Sequence, residues 1–213
     1  MQRPVLQVLA GVNGAGKRSI GGYLLAQAGL AWYNPDDYAR ELLSLRGRSQ
    51  VEANSAAWTE GMRRFDNAIA NGESFAFETT LGGNTVAGKI AAAARTHDVA
   101  IWYCGLASPE LHLERVAIRV AHGGHPISER KIRERYPASL VNLIRLMPHA
   151  WRLQVFDNSV TGAPGEGVPD PARVLELEAG RVAYPITPDQ IRDTPQWAKP
   201  IVEAAMASGS NLG

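Results

Sequence analysis

Cysteine is nearly missing from this chain: Cys104 is the only one in 213 residues. A lone thiol forms no internal disulfide, so a hydrophobic core must hold the fold, and a reducing compartment is expected. An excess of charge is missing too. With 22 Lys and Arg against 21 Asp and Glu, the net charge is +1, which gives no long-range pull toward nucleic acid or acidic membranes. No apolar run approaches the ~18 residues of a membrane span, and a strand-like run starts too close to residue 1 for a signal peptide. A cytoplasmic protein is the expectation. No Gly-x-Gly-x-x-Gly can be read, which argues against a dinucleotide fold. His122 and His125 lack acidic or thiol partners at ligand spacing, which argues against zinc. No internal repeat or low-complexity segment is present. The last absence is one hydroxyl, after Gly16-Lys17, where Arg18 stands.

What is there surrounds that position. Residues 11–18 read Gly-Val-Asn-Gly-Ala-Gly-Lys-Arg, and a phosphate-binding loop asks for Gly, four free positions, Gly-Lys and then Ser or Thr. In such a loop the backbone N–H groups cradle phosphate oxygens, the lysine reaches the outer phosphates, and the hydroxyl holds Mg²⁺. Gly11, Asn13, Gly14, Ala15, Gly16 and Lys17 fit a nucleotide cradle, with Arg18 and Ser19 following. The apolar run Val5–Ala10 leads into the loop, and Ile20, Tyr23 and Leu24 repeat at helical spacing after it. Strand, glycine loop and helix is the arrangement the mechanism needs; the competing reading is an ordinary glycine-rich turn between a strand and a helix.

With 45% hydrophobic and 20% charged residues, the chain suits one compact α/β domain. Apolar runs at Leu30–Tyr33, Phe75–Phe77, Val99–Leu106 and Leu153–Phe156 alternate with helical patterns at Asp37–Leu45, Ser55–Asn71, Thr85–Thr96, Pro109–Ala121 and Glu129–Ala150. Strands separated by helices predict a parallel sheet covered on both faces. The core is expected over about residues 5–160. A Gly- and Pro-rich loop, a small hairpin turning at Ala179-Gly180 and a helical tail fill 161–213.

Ligands of such sheets bind beyond the carboxyl ends of the strands. After the second run stands Asn34-Pro35-Asp36-Asp37, where either carboxylate is a plain helix N-cap or, near phosphates, a base for an acceptor hydroxyl. Glu78 ends an apolar strand, a costly place unless it faces a polar site or caps the next helix. Arg115 and Arg119 precede the turn Gly123-Gly124-His125, and Arg130, Lys131, Arg133 and Arg135 follow it. The arrangement suits a lid delivering cations to a phosphoryl group, or a solvated helix face.

These segments together resemble the zeta-toxin family of P-loop kinases. The resemblance rests on the glycine loop, Asn34-Pro35-Asp36, Phe77-Glu78-Thr79-Thr80, Arg119 through His125, Ile132–Tyr136 and Phe156-Asp157-Asn158-Ser159, over roughly residues 5–160. It implies a three-layer sandwich with a central parallel sheet, a helical lid and a small C-terminal hairpin. The implied activity is transfer of phosphate from ATP or GTP to a small-molecule hydroxyl, with UDP-N-acetylglucosamine the acceptor of the best-known members. Mg²⁺ and an inhibitory antitoxin are implied as well. Carried over, Asp36 is the base, Lys17 holds phosphates, Glu78 and Thr80 contact the acceptor, Arg119 and Arg133 neutralise the γ-phosphate with Arg135 competing for the latter role, and Asn158 lies near the adenine. Arg18 departs from the pattern. A guanidinium has donors and no acceptor, and Ser19 is a poor stand-in because one residue along a helix turns the side chain by about 100°. The substitution is expected to spare nucleotide binding and impair metal-dependent transfer. A metabolic kinase without toxicity and a catalytically inactive nucleotide-binding protein are the alternatives.

Overall fold

A computed structural model describes residues 3–17, 21, 32–45, 49–160 and 169–209. Its centre is a six-stranded sheet of order β2-β1-β3-β4-β5-β6. The strands are β1 (Val5–Ala10), β2 (Phe75–Thr79), β3 (Asp98–Gly105), β4 (Arg152–Asp157), β5 (Ala172–Glu178) and β6 (Arg181–Tyr184). The first four run parallel, β5 pairs antiparallel with β4, and β6 pairs antiparallel with β5. The C-terminal hairpin therefore continues the main sheet, turning where Ala179 (φ 50°) and Gly180 (φ 77°) permit it. The expectation of a parallel sheet holds for its four-stranded half.

Seven α-helices are described: α1 (Pro35–Ser44), α2 (Gln50–Asn71), α3 (Asn84–Ala93), α4 (Pro109–Ala121), α5 (Glu129–Leu146), α6 (Pro188–Arg192) and α7 (Lys199–Gly209). None of the described helices is long and apolar enough to cross a membrane. One sheet face buries Leu6, Val8, Ile101, Tyr103, Leu153 and Val155 against Ile90 of α3, Leu143 and Leu146 of α5, and Ile201 of α7. On the other face, a methyl added to helical Gly21 would come within 2.2 Å of Leu9, so the chain beyond the glycine loop crosses β1 there. The result is helix, sheet, helix.

Local chemistry sets the ends of the elements. Ser49 and Glu52 form a capping box at the start of α2, and Gly72 ends it with φ 67°. The expected strand at 30–33 is reduced, among described residues, to a parallel bridge between Tyr33 and Phe77. The chain leaves the sheet there because Asn34 at once caps α1: its Oδ1 accepts from the amides of Asp36 (2.8 Å) and Asp37 (3.4 Å), and Pro35 takes the first helical position. The α5 pattern, expected to reach Ala150, stops at Leu146, and the Pro148 turn finishes as a 3₁₀ helix.

Candidate functional site

Three glycines shape the loop after β1. Gly11, Gly14 and Gly16 have φ of 140°, 87° and 84°, a region L side chains rarely occupy. Each is also crowded. A Cβ would lie 2.2 Å from the Cys104 carbonyl oxygen at Gly11, 2.8 Å from the His112 carbonyl oxygen at Gly14 and 2.3 Å from Asn158 Nδ2 at Gly16. Side chains from the strand ends pin the loop carbonyls: Cys104 Sγ and Asn158 Nδ2 both donate to Ala15 O, at 2.8 and 2.9 Å. Burial pushes the Cys104 thiol up to about 12, so it stays a protonated donor. His112 Nδ1 meets Asn13 O at 2.9 Å. Burial drives this imidazole down to about 4, so the neutral ring donates from Nδ1.

Lys17, 7% exposed, sits under the loop. Its Nζ donates to Gly11 O at 2.7 Å and lies 3.2 Å from Glu78 Oε1. The second oxygen of Glu78 accepts from Asn34 Nδ2 at 3.0 Å. Asn34 thus caps α1 with one end of its amide and holds Glu78 with the other. This settles both capping questions. Neither Asp36 nor Asp37 is the N-cap, and α3 is capped by Gly83 rather than Glu78. Asp36 is left facing the cleft, 3.9 Å from His125 Nε2. Burial, reinforced by Arg119 and Arg40, holds the His125 imidazole below its usual range despite Asp36.

The cleft has two lobes, of 230 and 240 Å³. The first is lined by the glycine loop, Lys17, Arg40, Arg115 and Arg119. The second is lined by Asn54, Trp58, Thr79, Thr80, Ile127, Lys131 and Arg135. Asn13, Asn34, Asp36, Glu78 and His125 border both. Thr80 is fixed by α5, since Ser139 Oγ donates to its carbonyl at 2.7 Å. Arg119 Nη2 donates to His125 O at 3.0 Å, holding the lid turn, while its buried Nε has no partner.

Arg133, expected at the γ-phosphate, lies apart from the cleft. Its guanidinium pairs with Glu110 and Glu129, both at 2.7 Å, on an outer face away from the two lobes. Arg135, two residues on, points inward and donates to Asn13 Oδ1 at 2.7 Å. Helical geometry separates the two by about 200°. Asn158 braces the loop from behind through Ala15 O. Arg18 and Ser19 lie outside the described residues. Sequence reasoning passed over Arg40 as a site residue, although it falls four residues after Asp36 on one helix face. Arg115 bears the same relation to Arg119. Nothing in the sequence singled out Trp58.

The donor set does not suit Mg²⁺. Both Glu78 oxygens are engaged within the protein, one by Lys17 and the other by Asn34. Asp36 is the remaining carboxylate of the cleft; Arg135 interacts with it electrostatically, and Arg40 and Arg119 line the same lobe. At position 18 a guanidinium replaces the usual metal-binding hydroxyl.

Comparison with known proteins bears on the family and the fold. The sequence pattern of a family described as Zeta toxin matches residues 1–159. No curated protein matches the chain in sequence. A chain from the crystal structure of AvrRxo1-ORF1 and ORF2 with ATP is similar in fold, with TM-score 0.64 and 16% identity, over 95% of this chain and 64% of that one. This chain therefore spans under two thirds of that relative. A chain from the PezAT chromosomal toxin–antitoxin system of Streptococcus pneumoniae is similar over 100% of this chain and 88% of its own, with TM-score 0.60 and 15% identity.

Proposed function

This chain belongs to the zeta-toxin family, and from that premise we propose that it is a kinase-type phosphotransferase acting on a small-molecule hydroxyl. The observation that carries this reading is the position of Asp36, where a cationic loop-lined lobe meets a mixed apolar and polar lobe. The first lobe takes the triphosphate of ATP or GTP, held by the loop amides and Lys17 and neutralised by Arg115 and Arg119. The second takes the acceptor, with Glu78 and Thr80 orienting its hydroxyl and Trp58 offering a flat wall. The acceptor oxygen bonds to the γ-phosphorus as the bond to the β-phosphate oxygen breaks. Asp36 accepts the hydroxyl proton, and the nucleoside diphosphate leaves with the electrons of the broken bond. Arg135, fixed through Asn13, adds positive charge from the lid side.

UDP-N-acetylglucosamine is one acceptor consistent with family membership, and likeness to a toxin–antitoxin structure supports an antitoxin partner. Arg18 supports a slowed enzyme, and it also supports the second reading, a nucleotide-binding protein without transfer. Labelling decides between them. The natural chain and Arg18→Ser are incubated with γ-labelled ATP and a metabolite extract containing UDP-N-acetylglucosamine. The expected result is a labelled small molecule, formed faster by Arg18→Ser. Bound nucleotide with no labelled acceptor from either chain would replace the kinase with the binding protein.

A further inference from the structure

The cations of the first lobe outnumber its carboxylates, and that imbalance has a chemical meaning. Lys17, Arg40, Arg115 and Arg119 line it with Asp36 and Glu78. Glu78 is matched to Lys17 at 3.2 Å, so its charge is spent within the protein. Among the described residues Arg40 pairs with Asp37 at 2.9 Å, and Arg115 makes a long 3.4 Å contact to the Val160 carbonyl. Buried Arg119 Nε has no acceptor among the described residues. A buried donor without a partner is destabilising, and a phosphate oxygen in this lobe would relieve it. Arg115 Nη1 lies 4.0 Å from where a Cβ on Gly16 would stand, beside the loop.

In a standard phosphate loop, Mg²⁺ offsets the mutual repulsion of the phosphates and is itself held by a hydroxyl. Here that hydroxyl is absent from the sequence, and Arg40, Arg115 and Arg119 line the same lobe as Asp36, the carboxylate at which a divalent cation would otherwise settle. Like charges close together in a shielded cleft repel strongly, whereas guanidinium groups meet phosphate oxygens directly and without metal.

We propose that the first lobe binds nucleoside triphosphate as its metal-free polyanion, with Arg40, Arg115 and Arg119 supplying the charge compensation that Mg²⁺ supplies elsewhere. The proposal rests on the nucleotide assignment above and extends it to the form of the ligand. Isothermal titration of the natural chain with ATP, once in excess EDTA and once in excess MgCl₂, tests it. The expected affinity is at least as high in EDTA, with severalfold weakening in Mg²⁺. Arg40→Gln and Arg115→Gln are each expected to weaken binding more in EDTA than in Mg²⁺. Arg40 is exposed and Arg115 is held by one long contact, so neither replacement threatens the fold. Tighter binding in Mg²⁺, or equal losses in both media for both variants, overturns the proposal and leaves the nucleotide site intact. No binding in either medium overturns the nucleotide assignment along with it.

Discussion

Removing the carboxylate of Glu78 should strand a buried ammonium group. Lys17 and Glu78 are 7% and 14% exposed at the side chain, with 3.2 Å between Nζ and Oε1. At an effective dielectric of about 20 the attraction at that distance is roughly 5 kcal/mol, much of it offset by the desolvation of both groups. Loss of one partner is more costly than loss of both, typically about 3–5 kcal/mol, because the other charge stays buried. The contacts from Lys17 to the carbonyls of Gly11 and Val12 soften the loss, so about 3 kcal/mol is expected for Glu78→Ala. Glu78→Gln keeps an acceptor and should cost about half as much. Lys17→Met with Glu78→Leu removes both charges and should restore most of the stability, as buried pairs replaced by apolar groups do. Urea unfolding of the natural chain, Lys17→Met, Glu78→Leu and the double variant gives the coupling energy directly. Saturating ATP should narrow the gap for Glu78→Ala, since phosphate then neutralises Lys17. A cost below about 1 kcal/mol for Glu78→Ala, or additive single losses in the double variant, would refute a buried Lys17–Glu78 pair.

Gly16→Ala combines φ 84° with a Cβ 2.3 Å from Asn158 Nδ2, so about 2–4 kcal/mol of strain and lost hydrogen bonding is expected, read by denaturation together with weaker ATP binding. His112, held near 4 when folded against an ordinary 6.5, binds protons more readily in the unfolded chain. Its contribution to stability is complete above pH 6.5 and is lost as pH falls toward 4, by at most about 3 kcal/mol. His112→Asn should flatten that limb of the pH–stability curve, and an unchanged limb would count against a buried neutral ring. Arg133→Ala should alter transfer less than twofold, whereas Arg135→Ala should lower it at least tenfold. The reverse order in steady-state rates would restore Arg133 to the site.

The glycine loop, its strand and the covered parallel sheet were legible because they depend on local pattern: an apolar run, φ-permissive glycines and alternating periodicities. The hairpin turn at Ala179-Gly180 was legible for the same reason. Its pairing with β4 was not, since register between distant strands depends on packing no local pattern records. Asp36 and Glu78 could be picked out by their places at strand ends. The deciding fact, that Asn34 caps α1 and frees Asp36, came only with the 2.8 Å contact, because the sequence alone points to Asp36 and Asp37 as the caps. Arg133 against Arg135 was a question of helical phase on α5, which the spacing of basic residues leaves open. Trp58 reaches the cleft only because α2 packs against α1 through Ala39, Ala53 and Ala57, a tertiary contact between small side chains.

The central claim is that Asp36 takes the proton of an acceptor held opposite the glycine loop, and single-turnover transfer tests it most directly. In the Arg18→Ser background with the labelled acceptor identified, Asp36→Asn should slow the chemical step by about 10²–10⁴-fold while the ATP dissociation constant stays within twofold. Equal single-turnover rates for the two proteins would contradict the account.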